Sequence, residues 1–242
     1  MANGVVTLWG DEHTVLDEVV DAAVDGHAAV ALSRGRYPKP YEHVDPNEDG
    51  VLAATGPGGR LLAVVDGHFG FDAARAALAA VAERAPDVVQ QAPARPVAAV
   101  EALCGAALRA VITAVGEATG ERADSRTALT LALVVGDHLY VATYGDTVCV
   151  RERAGRGKAV GDDAGFLGPD SFIPAVTRVR VRPQDRVAVA SDGLTTYLGR
   201  DWVGHTAAIL ARAEDPRWAA RALIELAMDG GAGDHVAVGV LA

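Results

Sequence analysis

The stretch LTLALVVGDHLYVAT, residues 129–143, decides the fold class. Two apolar runs, Leu129–Val135 and His138–Thr143, flank the dipeptide Gly136-Asp137. A two-residue connection of this kind between apolar runs is typical of a β-hairpin, so the two strands are predicted to be antiparallel neighbours. Hairpins favour an antiparallel sheet over a parallel sheet whose strands are joined through helices.

Further strands and helices are predicted on both sides of this hairpin. Short apolar runs predict strands at His27–Leu32, Leu61–Val65, Val148–Arg153, Val176–Val181, Arg186–Ser191 and His235–Leu241. Apolar residues at helical spacing predict helices at His13–Val24, Phe71–Arg84, Pro96–Thr119, Trp202–Arg212 and Pro216–Met228. The Pro-rich stretches Arg36–Pro46 and Ala85–Pro96 are predicted to be loops. The order of the elements predicts a layered α+β fold.

Composition narrows the class of protein. The chain has 242 residues, half of them hydrophobic, which is enough to bury a sizeable core and excludes wholesale disorder. Its 22 basic and 32 acidic side chains give a net charge of −10. Lysine occurs only as Lys39 and Lys158 and no basic run stands out, so nucleic acid is not an expected partner. Glu101 and Arg109 interrupt the most apolar stretch, and no membrane partner is expected either.

The beginning of the chain and its cysteines bear on domain organisation and compartment. Asp11 and Glu12 stand where a signal peptide would be apolar, so a cytoplasmic location is expected. Cys104 and Cys149 lack metal-ligand spacing and are expected to be buried, inert thiols. We expect residues 1–242 to form a single domain, with residues 1–26 as an N-terminal extension packed on it.

Carboxylates recur at the ends of the predicted strands. They lie in five short motifs, each with a small residue: Asn47-Glu48-Asp49-Gly50, Asp66-Gly67-His68, Gly145-Asp146-Thr147, Ser191-Asp192-Gly193 and Gly233-Asp234-His235. A single Asp-Gly pair is a common turn, but five such motifs at strand ends are harder to explain as turns alone. Gathered carboxylates need cations between them, and oxygen ligands suit Mg²⁺ and Mn²⁺ equally. Two such ions roughly 3.5–4 Å apart can activate a water towards phosphorus.

These motifs resemble those of the metal-dependent protein phosphatases of type 2C, the PPM family. The resemblance runs from about residue 28 to residue 241 and is carried by SRGR, NEDG, LLAVVDGHFG, SRTALTLALVVGDHLYVATYGDT, VAVASDGL and ALIELAMDGGAGDHVAVGVL. It implies a four-layer α-β-β-α sandwich, in which two antiparallel β-sheets are flanked by helix pairs. It also implies hydrolysis of phosphoserine and phosphothreonine by a water that two Mn²⁺ or Mg²⁺ ions activate. The expected partners are a phosphorylated protein substrate and a cognate Ser/Thr kinase.

The resemblance assigns a role to each motif. Asp66 is similar to the carboxylate that bridges the two ions, and Gly67 to the residue that lends its carbonyl oxygen. His68 is similar to the general acid for the leaving alkoxide. The remaining metal-binding positions are Glu48, Asp49, Asp192 and Asp234, with Asp146 as the acid that holds a third, weaker metal together with Asp192.

The chain also departs from the family pattern. Val44 stands where family members have a phosphate-binding arginine, and Arg126 and His235 replace a small residue and an asparagine. Arg36 is the candidate replacement for the missing arginine, and Lys39 and His43 remain alternatives. A second function is therefore kept open, a phosphatase-like binding or regulatory module with weak or no catalysis.

Overall fold

The computed structural model describes residues 4–39, 47–90 and 94–242, which contain twelve strands and five α-helices. The strands are β1 (Gly4–Trp9), β2 (Val20–Val24), β3 (Ala28–Ser33), β4 (Gly50–Gly56), β5 (Gly59–His68), β6 (Arg126–Val135), β7 (His138–Tyr144), β8 (Val148–Arg153), β9 (Arg156–Ala159), β10 (Thr177–Arg180), β11 (Arg186–Ala190) and β12 (Val236–Leu241). The helices are α1 (Asp72–Gln90), α2 (Pro96–Glu117), α3 (Asp192–Leu198), α4 (Trp202–Arg212) and α5 (Pro216–Asp229).

The strands form two six-stranded antiparallel sheets. The first sheet has the order β1-β4-β5-β6-β7-β10 and the second the order β2-β3-β12-β11-β8-β9. The predicted hairpin is confirmed, because β6 and β7 pair antiparallel from Leu129 opposite Tyr144 to Val135 opposite His138. Gly136 has a φ of 58°, the left-handed conformation that this two-residue turn requires.

Alternate residues along the strands build separate apolar cores. On β5, Leu62 and Val64 face the second sheet, whereas Leu61, Ala63 and Val65 pack under α1 and α2. On the far side of the second sheet, α3, α4 and α5 cover a third core. The predicted α+β sandwich of four layers, with two antiparallel sheets between helices, is therefore confirmed.

The chain before residue 26 differs from its prediction. The expected helix at His13–Val24 is wrong, because its second half is β2, the edge strand that pairs with β3. The helical spacing misled because β-branched valines also suit a strand, and an Asp-Gly turn signal follows them. Asp25 and Gly26 have φ values of 54° and 65°, and they connect β2 to β3 as a hairpin.

The helix α1 is longer than predicted, whereas the predicted helix from Pro96 is confirmed as α2. The loop expected from Ala85 is wrong at its start, since α1 continues to Gln90 with Pro86 inside it. Full burial of Ala85 and Val89 offsets the lost hydrogen bond of the proline.

By length and composition α2 could cross a membrane, but it packs against α1, and its buried side chains join the core over the first sheet. Cys104 on α2 is a buried free thiol, as expected, and so is Cys149 on β8.

Candidate metal centre

The antiparallel topology brings the predicted carboxylates from both sheets to one end of the sandwich. Glu48 and Asp49 directly precede β4, and Asp66 lies near the end of β5, all in the first sheet. In the second sheet, Asp192 follows β11 at the start of α3, and Asp234 precedes β12. The structure therefore joins in space the acids that the sequence separates by up to 186 residues.

Three of these carboxylates are buried. Glu48, Asp49 and Asp66 are 3%, 4% and 4% exposed. Asp192 and Asp234 are half-buried, and Asp146, between β7 and β8, is exposed. One oxygen of the Asp49 carboxyl group, Oδ2, has no hydrogen-bond partner among the described residues, so negative charge on this buried oxygen is left without compensation there.

Burial and mutual repulsion disfavour the charged forms of these acids. Desolvation raises the pKa of Asp66 well above its usual range, and the neighbouring Asp49 and Asp192 carboxylates raise it further. Desolvation likewise raises the pKa of Asp49, and the attraction of the Lys39 ammonium opposes it only in part. The pKa of Asp192 is also raised, first by desolvation and then by Asp234 and Asp146. The site thus carries more negative charge than its surroundings neutralise.

The ammonium of Lys39 lies among these acids. Its Nζ is 2.8 Å from Asp234 Oδ1 and 3.3 Å from Glu48 Oε2, and its side chain is only 6% exposed. Burial opposes the charge on Lys39, but the carboxylates, Asp234 foremost, outweigh that effect and raise its pKa. The ammonium therefore stays protonated and neutralises part of the cluster.

The donor chemistry of the acids fits a divalent ion, but their present placement does not yet form its ligand sphere. Oxygen donors and the orphaned Asp49 Oδ2 suit Mg²⁺ or Mn²⁺. Nevertheless, in residues 4–39, 47–90 and 94–242, no three His, Cys, Asp or Glu side chains are grouped so that they could hold one ion. Glu48 and Asp234 are instead paired with Lys39. Ion binding therefore requires these side chains to rearrange.

Close backbone packing holds the acids in position. The amide of Gly67 donates to the Glu48 carbonyl at 3.2 Å, and the amide of Gly70 donates to Glu48 Oε1 at 2.8 Å. A side chain at position 67 would place its Cβ 2.9 Å from the Glu48 Cβ, so only glycine allows this approach. The hydroxyl of Thr127 donates to the Asp66 carbonyl at 2.8 Å.

His235 is a further positioning residue, and motif reasoning gave it no role. It is 1% exposed, and its Nδ1 accepts a hydrogen bond of 3.1 Å from the Glu48 amide. This contact ties the start of β12 to the start of β4 and so links the two sheets beside the acids. The only signal in the sequence was the histidine that follows Asp234 in place of the family's asparagine.

The predicted general acid lies at the mouth of the site. His68 Nδ1 is 3.8 Å from Asp66 Oδ1 and has no hydrogen-bond partner. The His68 ring contacts the Phe166 ring with centroids 4.5 Å apart. The imidazole is thus placed by packing beside the Asp66 carboxylate, and its side chain remains 30% exposed to whatever enters the site.

Arg126 is the cross-strand neighbour of His68 in the pairing of β5 with β6. Its guanidinium carbon lies 5.3 Å from the centroid of the Phe69 ring and 4.8 Å from that of Phe166. Within the described part of the chain, the guanidinium makes no ion pair with a carboxylate. Two aromatic rings therefore contact this exposed cation beside His68.

The structure does not bring Arg36, the predicted phosphate-binding residue, to the acids. Its guanidinium pairs instead with Asp17 at 3.1 Å and Asp229 at 3.4 Å. Of the two alternatives, Lys39 lies among the acids, whereas His43, like Val44, lies outside the described residues. The sequence could not indicate which of Arg36 and Lys39 lies among the acids, because the two residues are only three positions apart and both follow β3.

Solved structures that are similar to this chain include bacterial Ser/Thr phosphatases. The Mycobacterium tuberculosis Ser/Thr phosphatase PstP/Ppp is 23% identical, with 92% of this chain and 97% of that chain covered and a TM-score of 0.71. The catalytic domain of PstP in complex with two manganese ions is 24% identical, with 92% of this chain and 98% of that chain covered and a TM-score of 0.72. Stp1 from Staphylococcus aureus is 17% identical, with 95% of this chain and 96% of that chain covered and a TM-score of 0.74. No protein-family profile and no curated protein sequence matches the chain.

These similarities extend over nearly the whole chain at low sequence identity, so they establish the fold. The chain has the sandwich fold of the bacterial PPM-type Ser/Thr phosphatases, and the resemblance drawn from the motifs is confirmed.

Proposed function

We propose that this protein is a metal-dependent phosphatase that removes phosphate from phosphoserine and phosphothreonine in proteins, its substrates being products of a Ser/Thr kinase. The observation that carries the proposal is the convergence of five carboxylates, three of them buried, at one end of the sandwich. Structurally similar phosphatases support it, one of them in complex with two manganese ions.

The acids would hold the ions with oxygen atoms only. The proposed ligands are Glu48, Asp49, Asp66, the Gly67 carbonyl, Asp192 and Asp234, with Asp146 and Asp192 for a third, weaker ion. Bound there, two divalent ions supply positive charge for the phosphoryl oxygens and lower the pKa of the attacking water. The buried carboxylates contribute fixed negative charge in a region of low dielectric, which favours Mg²⁺ or Mn²⁺ over monovalent ions.

His68 is the proposed general acid. Its Nδ1 lies 3.8 Å from Asp66 Oδ1 and has no hydrogen-bond partner. The partly exposed ring can give a proton to the serine or threonine oxygen as the bond to phosphorus breaks.

Arg126 is the proposed phosphate-binding residue. A guanidinium offers paired donors to phosphoryl oxygens, and a residue already paired with a carboxylate would have to break that pair first. Arg126 has no such pair, and two phenylalanine rings fix its position beside His68. It would thus supply from β6 the contact that Val44 cannot make.

The test is hydrolysis of a phosphopeptide and of a small aryl phosphate during titration with Mn²⁺ and with Mg²⁺. Asp66→Asn and Asp192→Asn should abolish metal-dependent turnover by removing proposed ligands. Asp87→Asn is the matched control, because Asp87 is an exposed acid on α1 close to Val89, whose carbonyl accepts from Gly58 in the turn between β4 and β5, at the opposite ends of these strands from the acids. Turnover that survives Asp66→Asn at saturating metal would refute the proposal.

A second function is a phosphatase-like binding module without catalysis. The position of Lys39 favours it, because an ammonium paired with Glu48 and Asp234 offsets acid charge without a metal. This function predicts binding of a phosphopeptide with no turnover at saturating Mn²⁺. Turnover well above that of the metal alone would exclude it.

A further inference from the structure

The Lys39 ammonium occupies the acid cluster in a way that ordinary surface lysines do not. Its Nζ lies 2.8 Å from Asp234 Oδ1 and 3.3 Å from Glu48 Oε2, and these acid side chains are 14% and 3% exposed. A lysine seldom gives up its hydration to such an extent unless several acids compensate for the loss. The cluster provides that compensation, since Asp49 also attracts this ammonium.

The neutralisation is nevertheless incomplete. Among the residues that the structure describes, one ammonium faces five carboxylates at this end of the sandwich, and Asp49 Oδ2 has no hydrogen-bond partner. An ion of charge +2 with short oxygen contacts would satisfy more of these atoms than an ammonium can. The side chain of lysine is also long and flexible, so the ammonium can leave without unfolding the strands around it.

We propose that Lys39 is an internal counter-cation that holds the metal-free site together and is displaced from Glu48 and Asp234 when a divalent ion binds. The inference rests on the metal site of the proposed function. Two cations cannot share the same carboxylate oxygens without strong mutual repulsion, so metal entry and the Lys39 ion pairs exclude each other. Lys39 accordingly weakens metal binding and stabilises the protein without metal.

The lysine content of the chain makes displacement directly measurable. Lys39 and Lys158 are the only lysines, and Lys158 is exposed on β9 in the second sheet. Acetylation of the folded protein, followed by peptide mass spectrometry, reports the accessibility of each ammonium. We expect Mg²⁺ to raise the acetylation rate of Lys39 at least tenfold and to change that of Lys158 by less than twofold.

A variant measures the competition itself. Lys39→Met keeps the length of the side chain and removes its charge, so isothermal titration calorimetry should show Mg²⁺ binding at least tenfold tighter. The melting temperature without metal should fall. Lys158→Met is the matched control and should change neither quantity. If Lys39→Met does not fold without metal, the acetylation experiment on the unaltered protein still decides.

The outcomes separate this inference from the proposed function. If calorimetry shows Mg²⁺ binding while Lys39 stays protected from acetylation, the inference is overturned and the metal site stands. If only the Lys39→Met protein binds Mg²⁺, the ion does not displace Lys39 in the natural chain, and both the inference and the metal-dependent function of that chain are overturned. If neither protein binds Mg²⁺, both are overturned.

Discussion

Replacing Arg126 by alanine should weaken phosphopeptide turnover chiefly through substrate binding. The guanidinium is held by the Phe69 and Phe166 rings, 5.3 and 4.8 Å from its central carbon, and it pairs with no described acid. Substrate phosphate would therefore gain this contact without breaking another. Arg126→Ala removes the contact and leaves the proposed metal-binding acids unchanged.

The size of the effect follows from the type of contact. A hydrogen bond to a charged group contributes about 1.5–3 kcal/mol, and each 1.4 kcal/mol or so corresponds to a factor of ten. Loss of the guanidinium should thus lower kcat/KM about 10- to 100-fold, mostly as a rise in KM. Arg126→Lys keeps the positive charge but loses the planar pair of donors, so its kcat/KM should lie between that of Arg126→Ala and that of the unaltered protein.

The assay is steady-state hydrolysis of a phosphopeptide at saturating Mn²⁺, with Mn²⁺ affinity measured separately. Arg122→Ala is the matched control, because Arg122 also lies over a ring, 5.1 Å from that of Phe71, but pairs with Asp72 at 3.4 Å. That variant should leave kcat/KM within about twofold of the unaltered protein. A kcat/KM for Arg126→Ala within threefold of the unaltered value would refute the phosphate-binding role.

Three further predictions concern stability. Saturating Mn²⁺ at 100 times its Kd should add about 2.7 kcal/mol and raise Tm by roughly 5–10 °C, and Asp66→Asn should show no such rise in a thermal melt. Without divalent ions, the raised pKa of the buried acids means that the folded state binds more protons than the unfolded state. The free energy of unfolding measured in urea should therefore rise as pH falls from 7 towards about 4, and a fall over that range would contradict it. Gly193→Ala would place a Cβ 1.9 Å from the His235 carbonyl oxygen and should destabilise the protein by about 1–3 kcal/mol, whereas an unchanged urea midpoint would show that β12 yields freely.

Much of the fold could be predicted because local pattern and tertiary structure agree. The Gly136-Asp137 hairpin and the helix at Trp202–Arg212 lie where the residues indicate. The error at His13–Val24 arose because valines at helical spacing also suit an edge strand. The turn at Asp25-Gly26, whose φ values are 54° and 65°, decides in favour of a strand. The helix α1 continues beyond Pro86 because its residues are buried against the first sheet, and a local sequence pattern does not show such burial.

The sequence predicts which acids form the candidate site, but it does not predict which cations lie beside them. Carboxylates at strand ends meet once the sheets are antiparallel, so their convergence follows from hairpin topology. The positions of the cations depend on side chains and register. Arg126 lies opposite His68 only because β5 and β6 pair in one particular register. Lys39, and not Arg36, faces the acids, and this choice depends on how the chain leaves β3.

The ion pairs of Lys39 also bear on how the sandwich comes apart. Glu48 leads into the first sheet and Asp234 into the second, so a single ammonium fastens the two sheets to each other at this edge. The hydrogen bond from Glu48 to His235 fastens the same edge. We therefore expect amide hydrogen exchange at the starts of β4 and β12 to require global unfolding, whereas the hairpin at Asp25-Gly26 opens locally. The two sheets would then separate last at the end of the sandwich where the clustered carboxylates repel one another.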